Sequence, residues 1–236
     1  LIETLPHTGS TNADIAARLK AGDRIAEGFW LVADRQTAGR GRHGRPWFDG
    51  HGNFLGSTVV YPSDRDPPAP TLALVAGLAV YEAALAFCAD PAVLKLKWPN
   101  DLMLSGAKLA GILLEGQGDA VIVGIGLNLV HAPDLPDRPT AALSHIGPAP
   151  DRDLFASALA SSFTTELQRW RTYGLDSLLR RWESAAHPRG TALHVNEQSE
   201  GIIKGQFDGL ADDGSLRLRL ADGSTRAIHA GDVMLA

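Results

Sequence analysis

LKLKWPNDLMLSGAKLAGILLEGQGDAVIVGIGLNL, residues 94–129, decides the fold. Four strand-like runs crowd into it: LKLKW (94–98), DLMLS (101–105), KLAGILLEG (108–116) and AVIVGIGLNL (120–129). Upstream, STNADIAARLKA (10–21) reads as a short helix with Ile15, Ala16 and Leu19 on one face. Thr11 and Asp14 have capping-box spacing, and Gly22 sits where the helix would stop. GFWLVAD (28–34) and FLGSTVVY (54–61) read as strands. The proline-rich PSDRDPPAP (62–70) leads into a long apolar helix over about 71–88. Amphipathic helices follow near 152–172 and 175–186. Strands and helices come partly in blocks. That order predicts an α+β fold, a mixed sheet with helices on one face, over a regular βαβ series.

HPRG at 187–190 punctuates the chain. Beyond it LRLRL (216–220) alternates strictly, so Leu216, Leu218 and Leu220 share one face, and Asp213-Gly214 and Asp222-Gly223 bracket the run as turns. The expected organisation is a main domain over 1–187 and a small β barrel over 188–236 docked on it. Alone, so short a barrel is near the lower size limit for stability.

The 236 residues carry 22 basic and 27 acidic side chains, a net charge of −5. Binding duplex nucleic acid by general electrostatics calls for a basic excess, so any anion site here must be local. Cys88 is the single cysteine and cannot form an internal disulfide; it reads as a small buried apolar residue. The alanine-rich stretch near 72–89 contains Glu82 and reads as a buried helix, not a membrane span. No signal-peptide pattern opens the chain, which predicts a cytoplasmic protein. The eight histidines show no metal-ligand spacing.

TAGRGRHGRPW (37–47) is the local cation cluster. It matches G-x-G-x-x-G at Gly39, Gly41 and Gly44, but a dinucleotide fingerprint must open a helix, and Pro46 follows Arg45 directly. The phosphate loop G-x-x-x-x-G-K-[ST] is absent. Guanidinium groups fork onto carboxylate or phosphate oxygens, and glycine lets the backbone come close. An empty loop of this kind repels itself and should be mobile; an anion would order it. The alternative is a solvated basic surface loop. KWPND (97–101) sets Lys97, Asn100 and Asp101 around a proline turn. KLAGIL (108–113) opens a strand with Lys108 and leaves room at Gly111, and GIGLN (124–128) ends one in Asn128. Polar residues at the rims of apolar strands are how sites on sheets are built. Singly, Lys108 reads equally as a solvated strand end, Asn100 as a turn former and Asn128 as a strand-ending residue.

In this order, STN (10–12), DRQTAGRGRHGRPW (34–47), GNFLGS (52–57), KWPNDLML (97–104), KLAGILLE (108–115) and GIGLNL (124–129) resemble the biotin protein ligases. The tail from about 188 looks like that family's SH3-like C-terminal barrel, so the resemblance covers nearly the whole chain. It implies a ligase domain like that of class II aminoacyl-tRNA synthetases. The chain enters that domain almost at once, which resembles the ligase-only type without a DNA-binding helix-turn-helix. Many members carry a basic residue before the third loop glycine; here it is His43.

The resemblance implies two half-reactions. Biotin carboxylate attacks the α-phosphate of ATP to give biotinyl-5′-AMP and pyrophosphate. A lysine of a biotin carboxyl carrier domain then takes the biotinyl group. Carried over by position, Ser10, Thr11, Asn12 and Gln36 meet biotin, with Gly39, Gly41 and Gly111 lining its slot. Arg40 and Arg42 close over the acyl phosphate, and Arg45 supports the loop and the nucleotide. Trp47 packs under the adenylate side, and Asn100 and Asn128 lie near the nucleotide. Lys108 reaches both the carboxylate and the α-phosphate. Asp101 steers Mg²⁺ or orients the acceptor amine. Mg²⁺ would arrive with the ATP phosphates, since no oxygen cage is visible. A homodimer is compatible with the resemblance. Rival readings are a lipoate or octanoate ligase on the same fold, and a non-catalytic biotin sensor or RNA binder.

Overall fold

The computed structural model describes residues 1–197 and 201–236. The first part of the chain builds one mixed sheet from β1 (Ile2–Leu5), β2 (Trp30–Ala33), β3 (Phe54–Val60), β4 (Leu94–Lys97), β5 (Asp101–Leu104), β6 (Ala107–Gln117) and β7 (Ala120–Leu127). Their order is β1-β2-β3-β7-β6-β5-β4. Only β1 and β2 run parallel; every other pair is antiparallel. The four crowded runs are thus a meander plus a return to β3. Strand β1 was not anticipated: four half-exposed residues at a sheet edge leave no periodic signature.

Helices α2 (Leu72–Leu85) and α3 (Arg152–Ala185) cover one face of this sheet. Helix α2 is apolar all round because it lies between the sheet and α3. It stops at Leu85, so Cys88 falls in the following turn, half-buried, with Sγ 3.1 Å from the Asp90 carbonyl oxygen. That corrects the expectation of a buried cysteine. Gly174 divides α3 with φ 70°, a conformation costly for any other residue, and this is the break expected between two helices.

Helix α1 (Thr11–Lys20) departs from the one-face arrangement. Ile15 packs with Leu31, Val59 and Ile122, whereas Trp30, Val32, Val123 and Ile125 face α2 and α3. Side chains alternate across a strand, so α1 lies on the opposite face. Each fully buried Leu, Ile or Val adds roughly 1.5–3 kcal/mol of apolar transfer energy. Both faces of β2 and β7 are therefore well anchored near α1. The rest of that face, over β5, β6 and the end of β7, carries the site.

The expected capping box is not made. Ser10 is the N-cap, the Thr11 amide donates to Gln36 Oε1 at 2.7 Å, and Asp14 accepts from the Thr8 hydroxyl. The Gln36 amide oxygen takes over the capping of an orphan helix N–H.

After α3 the chain forms a five-stranded antiparallel sheet, β8 (Ala192–Glu197), β9 (Gly201–Leu210), β10 (Leu216–Arg219), β11 (Thr225–Ile228) and β12 (Asp232–Leu235), ordered β11-β10-β9-β8-β12. Leu216 and Leu218 are fully buried. Leu220 lies just past the strand and is only partly buried. The two sheets share a core: Leu96, Trp98 and Trp182 meet Leu193, Phe207 and Val233. The Trp98 indole donates to the Gly214 carbonyl at 3.1 Å. No helix among the described residues is long and apolar enough to cross a membrane.

Candidate active site

The open face of the large sheet holds a cavity of about 380 Å³. Its floor is glycine. Gly111 on β6 and Gly124 and Gly126 on β7 point where side chains would otherwise stand. A Cβ at Gly126 would come within 2.7 Å of Trp47 Cζ2, and one at Gly111 within 2.8 Å of Trp47 Cζ3. A Cβ at Gly124 would lie 2.9 Å from Asn12 Cγ. The Trp47 indole and the start of α1 can lie close to the strands only because these positions lack side chains.

The α1 end of the cavity is a buried polar chain. Thr11 Oγ1 donates to Gln36 Oε1 at 3.0 Å and lies 2.6 Å from Ser57 Oγ. Ser57 Oγ donates to Asn12 Oδ1 at 2.5 Å, and Asn12 Nδ2 to Glu115 Oε2 at 2.6 Å. Ser10, Thr11, Asn12, Gln36 and Ser57 are all buried, and hydrogen-bond partners fix the directions of the last four. Such a wall recognises a compact group rich in donors and acceptors.

Cations close the other end. Arg42, Arg45, Lys97, Lys108 and Arg138 line it, against the carboxylates of Asp101 and Asp232, while Arg40 lies beside Glu115 at the α1 end. The Asp101 oxygens meet Lys97 Nζ at 2.9 Å and Lys108 Nζ at 2.6 Å. Burial on its own would raise this carboxyl; the two ammonium groups outweigh it and hold the group at about 2. Burial lowers the Lys108 ammonium below the usual lysine range, with Asp101 opposing. Each Asp101 oxygen thus faces one ammonium group. No cluster of three His, Cys, Asp or Glu among the described residues could hold a metal ion. Lys108 Nζ also lies 5.7 Å from the Trp47 ring centre, within cation–π range. The Trp47 N–H is buried without an acceptor among the described residues.

The arginine loop is folded. Gly41 N–H donates to the Arg45 carbonyl at 2.7 Å, Trp47 N–H to the Gly39 carbonyl at 2.9 Å, and residues 42–44 make a 3₁₀ turn. His43 and Gly44 take left-handed φ of 57° and 70°. Arg40 lies 3.5 Å from Glu115. Arg42 Nη1 donates to Asn100 Oδ1 at 3.4 Å and to the Gly231 carbonyl at 3.3 Å. Burial lowers the Arg42 guanidinium below its ordinary value, with Asp232 and Asp101 opposing. Arg45 Nη2 meets Asp232 Oδ1 at 2.5 Å. The self-repulsion expected of three neighbouring arginines is therefore offset, by carboxylates the loop's own sequence does not contain.

Of the residues carried over by position to biotin, the nucleotide or the reacting phosphate, all but Gly39 line the cavity. Gly39 instead shapes the loop through its carbonyl. Asn100 Nδ2 donates to the Ile112 carbonyl at 2.7 Å, and Asn128 Nδ2 to the Ala141 carbonyl at 3.0 Å; each side chain braces a wall. Ser57, Gly124, Gly126, Arg138 and Asp232 were missed. Glycines two apart in GIGLN were the available signal for the floor. Asp232 stands 187 residues from Arg45, and no local pattern links them.

The chain is similar to known proteins along nearly its whole length. Residues 9–128 match the biotin/lipoate A/B protein ligase family, and residues 194–235 match the biotin protein ligase C-terminal domain. The chain is 37% identical over 226 residues to the biotin–[acetyl-CoA-carboxylase] ligase of Paracoccus denitrificans, covering 91% of this chain and 92% of that protein. It is 36% identical over 237 residues to the ligase of the same name from Mycobacterium tuberculosis, covering 99% and 88%. The structure of biotin protein ligase from Aquifex aeolicus in complex with biotin and ATP superposes with a TM-score of 0.86 at 27% identity, over 100% of this chain and 99% of that one. The mixed sheet with helices and the separate C-terminal antiparallel sheet both fit that architecture.

Proposed function

Since the chain belongs to the biotin/lipoate A/B protein ligase family, we propose that it is a biotin–[acetyl-CoA-carboxylase] ligase. It activates biotin with ATP as biotinyl-5′-AMP and passes the biotinyl group to a lysine of a biotin carboxyl carrier domain. The observation that carries this reading is the cavity itself: a polar, hydrogen-bonding end, a glycine and tryptophan slot, and five cations at the far end.

The physical problem fits that layout. A carboxylate and a triphosphate repel one another, so fixed cations must hold them together. A biotin carboxylate oxygen attacks the α-phosphorus, and the bond to the bridging oxygen breaks to release pyrophosphate. Charge grows on the α-phosphate oxygens in that transition state, where pre-aligned cations act most strongly. Lys108 reaches the carboxylate and α-phosphate, Arg40 and Arg42 close over the acyl phosphate, and Asp101 keeps Lys108 aimed. Ser10, Thr11, Asn12 and Gln36 receive the ureido ring, and Trp47 covers the slot. Mg²⁺ comes with the ATP phosphates and not in a protein cage. In the second step the acceptor amine attacks the acyl carbon and AMP leaves. Until then the mixed anhydride must be kept from water.

The matched C-terminal domain favours biotin over lipoate. The net charge of −5 gives no general field for DNA. An ATP-dependent reaction and a single cysteine fit the cytoplasm. Edge strand β1 is where a homodimer would pair sheets, since the β4 edge bridges to Ala186 and meets the second sheet. The reading is tested by mass spectrometry of the protein mixed with MgATP and either biotin or lipoate. Biotinyl-adenylate alone is expected. A lipoyl-adenylate in its place would retain the fold and replace the substrate; no adenylate from folded protein would remove the activity.

A further inference from the structure

Strand β12 reaches into the cavity from the second sheet. Three successive residues clasp cations of the first: the Gly231 carbonyl accepts from Arg42 at 3.3 Å, Asp232 Oδ1 meets Arg45 Nη2 at 2.5 Å, and the Val233 carbonyl accepts from Lys97 Nζ at 2.6 Å. His43 Nε2 lies 3.8 Å from the same Asp232 oxygen, so that carboxylate faces two loop side chains. The loop turns back on itself at His43 and Gly44, both left-handed, and presents Arg42 and Arg45 to β12 together.

We propose that Asp232 is a positioning residue for the ligase reaction: it latches the arginine loop shut over the cavity, and through the loop it aims Arg42 at the reacting phosphate. This rests on the ligase reading above and adds to it a residue outside the motifs that suggested the activity. An isolated half-exposed ion pair would contribute little. Here the carboxylate lies between two backbone carbonyls that hold neighbouring cations, so the contacts reinforce one another as one clasp. The latch also explains how three arginines stay folded together. Asp232 supplies the counter-charge, and Arg42, hydrogen-bonded to the neutral oxygens of Asn100 and Gly231, is left without a bidentate carboxylate partner among the described residues and faces an incoming phosphate.

The test compares wild type, Asp232→Asn and Asp232→Glu. In ligand-free protein, amide exchange over residues 40–46 should quicken in the Asn variant and return towards wild type in the Glu variant. Biotinyl-adenylate formed in place should escape about fivefold faster from Asp232→Asn, the scale of one half-exposed charge-assisted hydrogen bond, with recovery in Asp232→Glu. The turnover rate should fall in Asp232→Asn and recover in Asp232→Glu. Unchanged exchange and unchanged escape in Asp232→Asn would overturn the latch. If wild type forms no biotinyl-adenylate, the ligase reading fails, and the exchange measurement still judges the latch.

Discussion

Lys108 and Asp101 show how much a single pair sets. Lys108 is a partly buried ammonium held 2.6 Å from a carboxylate, and it lines the cavity. Lys108→Ala is expected to slow biotinyl-adenylate formation at least ~100-fold, the scale of removing one fixed donor from a transition state. A rate within twofold of wild type would make the lysine a structural strand end. Asp101 has a pH signature. Its folded-state value of about 2 lies below the ordinary carboxylate range, so the folded state binds fewer protons than the unfolded one. The stability it supplies is present above about pH 4 and is lost as pH falls towards 2, on the order of 2 kcal/mol in all. Acid unfolding of Asp101→Asn beside wild type should show a stability gap that closes across that window. A gap of constant size from pH 5 to pH 2 would rule the ion pair out as its source.

At the scale of elements, the site is a consequence of strand alternation. Val123 and Ile125 anchor β7 to the helices, so Gly124 and Gly126 must face the cavity. Gly126→Ala is expected to push the Trp47 indole off the strand and raise the biotin Kd by tenfold or more, with little change in melting temperature. Fluorescence titration with biotin reads this directly, and wild-type affinity in the variant would mean that the floor does not set the slot. The same logic marks what was legible beforehand. The four strands from 94 to 127 were readable because their apolar runs are long and their turns punctuated by Pro and Gly. The face that each glycine occupies was not, since that depends on where α2 and α3 pack. The start of α1 was legible as a helix end, but its cap was misassigned because the competing acceptor, Gln36, lies 25 residues away. Motif order brought almost the whole cavity wall together; Asp232 and Arg138 came only with the fold.

Across the whole molecule, the two sheets are joined by one apolar seam and by the contacts of β12. Phe207 is 4% exposed and sits in that seam with Trp98, Trp182 and Leu193. All five tryptophans, at 30, 47, 98, 170 and 182, lie before the second sheet begins. Their fluorescence therefore reports the larger part of the chain. If the core is continuous, damage confined to the small sheet must destabilise the large one, since units sharing a core unfold together. Phe207→Ala removes an aromatic ring at a cost of roughly 3–5 kcal/mol. In a chain of this length that lowers the melting temperature by roughly 10 °C. The tryptophan transition and the loss of far-ultraviolet circular dichroism should shift together as one step. A tryptophan transition that stays at the wild-type temperature, with only the small sheet melting early, would show that the seam is a contact between independent units. In that case β12 could not hold the arginine loop with the firmness that the latch requires.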